Sequence, residues 1–318
     1  MKEKKPLKIG IALGAGAARG WGHIGVLKGL LKMGIEPSIV CGSSAGALVG
    51  AAYATGNLNR LEAWLRKLRR WDIFRLMDTK LLGGGFIQGH RVMKVLGGPL
   101  GDICIEDMDM PYAAVATELE TGREYWLREG KLTDAVRASI AVPGLFTPVY
   151  WNESTWLVDG GLTNPVPVSV CRALGADVII AVNVNGGLLD QFSKAMKQRQ
   201  EEREKDGLIT RIAEKLSKKF DFQLPALMAS DDEKVHESPG MFDVVMASSN
   251  IVQDRITRSR MAGEPPDIML TPNLAHIRLM EFDCVEEAVK AGLESVERNK
   301  DALQRLVETG KPSYITNG

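Results

Sequence analysis

A serine flanked by glycines is the first sign of chemistry in this sequence. Residues 42–46 read Gly-Ser-Ser-Ala-Gly, which matches the G-x-S-x-G pattern of a nucleophile elbow. In such a turn the serine stands between a strand and a helix, and Gly42 and Gly46 let the backbone cross without a clash. The N-terminus of the following helix favours negative charge at the serine. We therefore predict Ser44 as a nucleophile, against the alternative of a structural tight turn.

A loop of small residues lies a short distance before the elbow. Residues 14–20 read Gly-Ala-Gly-Ala-Ala-Arg-Gly and follow an apolar run. A loop of this kind presents backbone N–H groups that can bind a phosphate or a developing oxyanion. Dinucleotide binding is the competing hypothesis, because Gly14 and Gly16 form G-x-G and Glu36 lies at a suitable distance. Arg19 stands where that motif needs its third glycine, so the oxyanion interpretation is favoured.

Asp159 is the predicted base. It ends an apolar run and precedes Gly160 and Gly161, and active-site groups collect at the carboxyl edge of a sheet. A direct Ser–Asp dyad needs a desolvated carboxylate within reach of the serine. A triad in the chain order of the α/β-hydrolases would add His276. Because only one predicted strand precedes the strand that leads into Ser44, the dyad is favoured, and neither hypothesis needs a metal or a cofactor.

Strands and helices alternate along the part of the chain that must position these residues. Predicted strands cover residues 7–13, 38–41, 113–117, 124–127, 177–184 and 268–270, and predicted helices cover 20–33, 44–54, 241–260 and 284–307. This order implies an α/β protein with a mostly parallel sheet and helices on both faces. Residues 7–184 form the predicted core, 185–240 a polar and amphipathic insertion, and 241–310 the helices that complete the same domain.

Composition and charge limit the classes of protein to which this chain can belong. The 318 residues are 45% hydrophobic and 25% charged, as in a folded protein, and 40 Lys and Arg balance 40 Asp and Glu. Nucleic acid is therefore not expected as a partner. Residues 39–59 are uncharged and long enough to span a bilayer, but their glycines and alanines favour a strand, a turn and a buried helix. Four scattered cysteines fit a reducing compartment, so we expect a cytoplasmic protein.

Two basic amphipathic segments bear on where a substrate enters. Arg60–Trp71 and Leu208–Phe222 each place apolar side chains on one face and Arg or Lys around it. Such a helix either packs on the core with a solvated outer face or lies on an anionic membrane surface. Packing is favoured for the first segment. Both hypotheses stay open for the second, which lies in the polar insertion and is a candidate lid.

Together the three motifs resemble the patatin-like phospholipase family, and in particular its short bacterial RssA-type members related to neuropathy target esterase. The resemblance covers nearly the whole chain and is strongest in residues 8–56, 137–144, 159–165 and 260–267. It implies a three-layer α/β/α patatin-like fold with a mostly parallel central sheet. It also implies a Ser–Asp dyad that works without histidine, metal or cofactor.

Matched residue by residue, the resemblance implies that Ser44 is the nucleophile and Asp159 the base. The implied oxyanion loop consists of Ala15, Gly16, Ala17, Ala18, Arg19 and Gly20. The loop of the family typically reads Gly-Gly-Gly-x-Arg/Lys-Gly, so Ala15 and Ala17 depart from it. Alanine keeps the backbone donor but disfavours a positive φ. If the loop needs a positive φ at either alanine, we therefore expect a misformed oxyanion hole.

The predicted function is a serine esterase or lipid acyl hydrolase, of phospholipase or lysophospholipase type, that works through an acyl-enzyme. The expected partners are an acyl-ester or phospholipid substrate and a peripheral membrane surface. Three alternatives stay open: an α/β-hydrolase-type Ser–Asp–His esterase, an acyltransferase in which an alcohol replaces water, and a non-catalytic interaction protein on the same fold.

Overall fold

A computed structural model of the chain describes residues 7–67, 85–87, 102–187 and 241–310. The chain divides into two compact units, of which the first comprises residues 1–186 and 245–318 and the second residues 187–244. The candidate catalytic residues all belong to the first unit. The second unit holds the predicted amphipathic segment 208–222, which lies outside the described residues.

A central sheet of eight strands carries the first unit. The strands within the described ranges are β1 (Ile9–Leu13), β2 (Ile39–Ser43), β3 (Gly85–Ile87), β4 (Tyr112–Glu118), β5 (Glu124–Leu127), β6 (Gly144–Phe146), β7 (Val149–Trp151), β8 (Thr155–Asp159), β9 (Val178–Val182) and β10 (Ile268–Leu270). The order in the central sheet is β10-β9-β1-β2-β4-β8-β7, with β5 also paired to β4, while β3 and β6 form a separate two-stranded sheet. The neighbours from β10 to β4 are parallel, and β5, β7 and β8 join antiparallel.

Helices cover both faces of this sheet. They are α1 (Gly22–Lys32), α2 (Ala45–Ala54), α3 (Leu58–Leu65), α4 (Leu132–Ser139), α5 (Val168–Ala173), α6 (Met241–Gly263), α7 (Val285–Arg298) and α8 (Lys300–Thr309). On β1, Ile11 and Leu13 pack into the core cluster that contains α1, α2 and α7, whereas Ala12 packs into the cluster that contains α5. A strand buried on both faces is expected to be continuously apolar. The predicted three-layer α/β/α fold with a mostly parallel sheet is confirmed.

Two strands that flank β4 on opposite sides end at adjacent positions along it, and this arrangement builds the site. β2 runs parallel to β4 and ends with Ser43 opposite Val115. β8 runs antiparallel to β4 and ends with Asp159 opposite Ala116. Because the two strands approach from opposite directions and end at adjacent positions of β4, the residue after β2 and the last residue of β8 are brought together.

The structure differs from the sequence prediction at the C-terminal helix. The periodicity predicts one helix over residues 284–307, but the chain forms α7 and α8 with a break at Asn299. Asn299 has a φ of −107° and a ψ of 13°, and its side-chain amide donates to the carbonyl of Ser295 at 2.8 Å. Asparagine competes with the helix for backbone hydrogen bonds in this way, so an apolar pattern that continues across it does not keep the helix intact.

The first amphipathic segment is largely accounted for by α3. Leu61 and Leu65 are buried in the main core cluster, and residues 68–71 of the segment lie outside the described ranges. No helix of the described parts of the chain is both long and apolar enough to cross a membrane.

Candidate active site

Ser44 occupies a strained turn between β2 and α2. Its φ of 54° and ψ of −123° place a non-glycine residue in a region that L-residues rarely adopt. The backbones around it are too close for side chains: a Cβ at Gly46 would lie 2.1 Å from the carbonyl oxygen of Leu13. A Cβ at Gly42 would lie 2.4 Å from the amide nitrogen of Ala47. The two glycines of the motif are thus required by backbone contact, and Ser44 sits at the N-terminus of α2.

Asp159 is fixed through its backbone at the end of β8. Its amide donates to the carbonyl of Ala141 at 2.9 Å, and its carbonyl accepts from the hydroxyl of Thr117 at 2.9 Å. Its Oδ1 accepts from the amide of Gly161 at 2.7 Å. Its Oδ2 has no hydrogen-bond partner among the described residues. One carboxylate oxygen is therefore held in place while the other is left for a further donor.

The environment of Asp159 makes it a stronger base than an ordinary aspartate. Burial raises its pKa to about 6, while the nearby hydroxyl of Ser44 and the amide of Gly161 act in the opposite direction by favouring the charged form. Asp159 as a whole residue is only 2% exposed to solvent. A base with a pKa near the working pH transfers protons more efficiently than one near 4.

The small-residue loop after β1 presents two backbone amides that are not otherwise used. Ala15 donates to the carbonyl of Pro165 at 2.8 Å, Ala18 to that of Leu279 at 3.1 Å, and Arg19 to that of Gly16 at 3.1 Å. The amides of Gly16 and Ala17 have no such partner within the described part of the chain. Of the six residues predicted for the oxyanion loop, these two are therefore available as donors, and the other loop residues hold the loop in place.

Ala17 adopts a φ of 46°, in the left-handed region that favours glycine. Ala15 is not among the residues with a positive φ. The loop therefore does take a positive φ at one of the two alanines that depart from the family pattern. The left-handed conformation costs an L-residue about 1–2 kcal/mol, so the loop keeps its shape against local strain.

A buried network behind the loop opposes that strain. The guanidinium of Arg19 donates through Nε to the carbonyl of Ile277 at 2.8 Å and through a terminal nitrogen to Asn185 Oδ1 at 2.5 Å. The side-chain amide of Asn185 in turn donates to the carbonyl of Ala15 at 3.0 Å. Burial lowers the pKa of Arg19 to about 10, which leaves it charged at neutral pH. Sequence reasoning missed Asn185, because nothing in its local sequence separates it from an ordinary loop asparagine.

The described histidines lie away from the proton path. His23 is fully buried and its Nε2 bonds to the carbonyl of Gly14 at 2.7 Å. Burial lowers its pKa to about 4, so it is neutral and the nitrogen donates. His276, the third member of the alternative triad, lies 2.7 Å from the carboxylate of Glu287 on the surface. His90 and His236 lie outside the described residues.

A cleft of about 410 Å³, counting the part open to solvent, joins these groups. Its floor contains Ser44, Asp159, Gly16 and Ala17, together with Ala15. Its walls are mostly apolar and come from three further segments: Val142, Leu145, Met246, Ser249, Asn250, Gln253, Leu279 and Met280. These wall residues were not predicted, since α6 and the loop at 279–280 are far from the motifs in sequence. In the described ranges, no cluster of His, Cys, Asp and Glu could hold a metal ion.

Comparison with known proteins gives related sequences. An uncharacterized NTE family protein of Mycobacterium bovis is 29% identical over 326 residues, which cover 90% of this chain and 89% of that protein. Neuropathy target esterase sws of Drosophila melanogaster is 33% identical over 182 residues, and the lysophospholipase nte1 of Emericella nidulans is 33% identical over 180 residues. Each of these two alignments covers 55% of this chain but only 13% and 12% of the respective relative.

A family model described as Patatin-like phospholipase matches residues 11–172. That range is more than half of the 318-residue chain and contains the loop, the elbow and Asp159. The strands that bring these three motifs to one cleft thus coincide with the part of the chain that a lipid-hydrolase family shares. The match and the relatives agree with the resemblance inferred from the motifs, and the chain belongs to the patatin-like phospholipase family.

Proposed function

We propose that this protein is a serine esterase of the phospholipase or lysophospholipase type, in which Ser44 and Asp159 form a catalytic dyad. The family assignment supports lipid hydrolysis in general. The dyad rests on one observation: a serine in a strained elbow and a buried aspartate with a free carboxylate oxygen face the same cleft. The cleft also contains the two unpaired amides of Gly16 and Ala17.

The proposed mechanism begins with proton transfer. Asp159 accepts the proton of the Ser44 hydroxyl as the serine oxygen attacks the carbonyl carbon of an acyl ester. The negative charge that develops on the carbonyl oxygen is bound by the amides of Gly16 and Ala17. Removing one donor of this kind costs on the order of 3 kcal/mol in transition-state stabilisation.

The tetrahedral intermediate then collapses. The ester C–O bond breaks, protonated Asp159 returns its proton to the leaving alcohol, and the acyl group stays on Ser44. Water, deprotonated by Asp159, attacks the acyl-enzyme in the same way and releases the fatty acid. The apolar wall of the cleft gives the acyl chain a surface to contact.

We also propose that the protein works in a reducing compartment such as the cytoplasm. None of the four cysteines is in a disulfide, and two of them, Cys41 and Cys171, are buried.

The test is hydrolysis of a short-chain nitrophenyl ester together with labelling by a fluorophosphonate probe. We expect Ser44→Ala to lose both labelling and turnover, and Asp159→Asn to lose turnover. Ser43→Ala is the matched control, because Ser43 is an adjacent, fully buried serine whose hydroxyl has no partner among the described residues. Ser43→Ala should label and turn over like the wild type.

The alternatives predict different results in the same assay. A triad would make His276→Ala as inactive as Ser44→Ala, and we expect it to stay active. A non-catalytic protein would neither label nor turn over although folded. If the wild type is active, product analysis with lysophospholipid in the presence of an acceptor alcohol separates hydrolysis from acyl transfer.

A further inference from the structure

The backbone amide of the proposed nucleophile is held by a second serine. Ser44 donates its N–H to the hydroxyl of Ser139 at 2.9 Å, and that hydroxyl donates to the carbonyl of Val115 at 2.6 Å. Ser139 is the last residue of α4 and is fully buried. Its hydroxyl therefore has one donor and one acceptor as partners and links the elbow to β4.

Val115 lies on β4 between the end of the strand that leads to Ser44 and the end of the strand that carries Asp159. It lies opposite Ser43, the last residue of β2, and the next residue on β4 lies opposite Asp159. The chain after Asp159 also contacts this position, since a Cβ at Gly160 would lie 2.1 Å from the Val115 carbonyl oxygen. The hydrogen bond from Ser139 to this carbonyl therefore ties the Ser44 amide to β4 one position away from the residue that lies opposite Asp159.

The contact matters because the elbow is strained. Ser44 has a φ of 54°, and its amide is buried where water cannot replace a lost partner. A buried donor without a partner is costly, and such a turn persists only when its surroundings hold it. The contact also occupies the Ser44 amide, so this amide is not available to bind the oxyanion.

We propose that Ser139 is a positioning residue of this hydrolase, which sets the distance and direction of the Ser44 hydroxyl relative to Asp159 by holding the Ser44 amide against β4. This inference rests on the proposed function of the Ser44–Asp159 dyad. Ser139 is not among the described residues that line the cleft, so we do not expect it to contact the substrate. Its loss should therefore change the rate of the chemical step and leave substrate binding almost unchanged.

The test compares Ser139→Ala and Ser139→Cys with a matched control in the purified full-length protein. Ser295→Ala is that control, because Ser295 is also fully buried in a helix but its hydroxyl has no partner among the described residues. With the nitrophenyl ester, we expect Ser139→Ala to lower kcat about 100-fold, the effect of a misplacement of about 1 Å. KM should stay within about twofold. Ser139→Cys, which keeps a weak donor and acceptor, should recover part of the rate, and Ser295→Ala should match the wild type.

A second measurement does not depend on turnover. Hydrogen exchange of the Ser44 amide, followed by mass spectrometry or NMR, should be faster in Ser139→Ala than in the wild type and unchanged in Ser295→Ala. If Ser44-dependent turnover exists but Ser139→Ala keeps the wild-type kcat, the positioning role is wrong and the proposed function stands. If the wild type shows no Ser44-dependent turnover, the proposed function is wrong. The positioning role of Ser139 is then wrong as well. Exchange of the Ser44 amide that is unchanged in Ser139→Ala would show in addition that Ser139 does not hold this amide.

Discussion

At the scale of single residues, Asp159 has an environment suited to proton transfer rather than to stability. Its pKa in the folded protein is about 6, against an ordinary value of 3.8, because the carboxyl group is buried. Between these two values the folded state holds a proton that the unfolded state releases. Stability from this group is therefore present below pH 4 and is lost as the pH rises through about 6.

Because the pKa of Asp159 is raised in the folded protein, we predict that Asp159→Asn stabilises the folded protein at alkaline pH while it abolishes turnover. A pKa raised by about two units corresponds to about 3 kcal/mol, so we expect a gain of roughly 2–3 kcal/mol in the free energy of unfolding at pH 8. At pH 4 the gain should vanish. Urea unfolding of both proteins at the two pH values measures it, and an equal gain at both would contradict a raised pKa.

The same value predicts the pH dependence of the reaction. Because the base must be ionised to accept a proton, kcat/KM for a neutral ester should fall about tenfold for each unit below pH 6 and level off above it. Initial rates between pH 4.5 and 8 check this, with the folded fraction followed by circular dichroism. If kcat/KM instead begins to fall only near pH 4, the carboxylate of Asp159 is solvated in the working enzyme.

Ala17 gives a prediction of the opposite kind, a substitution that should help. Its φ of 46° is unfavourable for alanine and free for glycine. We expect Ala17→Gly to raise the free energy of unfolding by about 1 kcal/mol and to keep the loop amide in place. Ala15→Gly is the control, since Ala15 does not have a positive φ and the change should only add freedom to the unfolded chain. Equal effects of the two substitutions would mean that Ala17 is not strained.

At the scale of elements, the contact between α2 and β1 defines the elbow. Gly46 and Gly50 lie on the same helix, but a Cβ at Gly46 would meet a backbone oxygen at 2.1 Å, whereas one at Gly50 would meet a methyl group of Val40 at 2.8 Å. Backbone cannot move aside as a side chain can. We expect Gly46→Ala to destabilise the protein by about 3 kcal/mol or more and to prevent labelling of Ser44.

Gly50→Ala provides the comparison for that prediction. The gain in helix propensity of about 1 kcal/mol offsets the adjustment of Val40, so its stability should stay within about 1 kcal/mol of the wild type. Thermal unfolding and fluorophosphonate labelling measure both variants. If both variants behave alike, the close approach of α2 to β1 is not the reason that position 46 requires glycine.

The elements also show how far the sequence leads. Apolar runs that end in glycine predict β1, β2 and β9, because a strand buried on both faces has no polar alternation to obscure it. The apolar run that ends at Asp159 is visible in the sequence, but the hairpin of β7 and β8 is short and mixed in polarity, so its two strands were not predicted. The antiparallel direction of β8 could not be read from sequence, yet that direction is what brings Asp159 to Ser44.

The residues of the site divide along the same line. Ser44, Asp159 and the loop follow glycine patterns whose backbone requirements are local, and local requirements are visible in sequence. Asn185 and Ser139 act through hydrogen bonds to residues 170 and 95 positions away. No local pattern encodes such a contact, and only the folded topology shows it.

At the scale of the whole molecule, α1 packs closely against α7, which lies near the other end of the described chain. A Cβ at Gly292 of α7 would lie 2.1 Å from the carbonyl oxygen of Gly22, at the start of α1. α1 follows directly from the proposed oxyanion loop. We expect Gly292→Ala to separate the two helices, with a loss of about 3 kcal/mol in stability and a lower rate in the protein that remains folded.

The control for that prediction is Glu294→Ala, on the same helix, whose side chain is 54% exposed. Surface substitutions usually stay within about 0.5 kcal/mol, so its stability and rate should equal those of the wild type. Rates corrected for the folded fraction at 25 °C make the comparison. If Gly292→Ala keeps the wild-type rate per folded molecule, the contact between α1 and α7 does not affect the proposed oxyanion loop.

The loop after β1 is tied to residues near the other end of the fold, through Ala18 to Leu279 and through Arg19 to Ile277. On the ribosome the loop, the serine and the aspartate all emerge long before those two carbonyls exist. N-terminal segments begin to fold as they emerge. The loop amides that we propose as oxyanion donors cannot take their final positions until strand β10 and the segment after it have been made. We therefore expect the nascent chain to carry the proposed nucleophile without a formed oxyanion loop through most of synthesis, and to become competent for the proposed hydrolysis only after the segment up to Leu279 has been made.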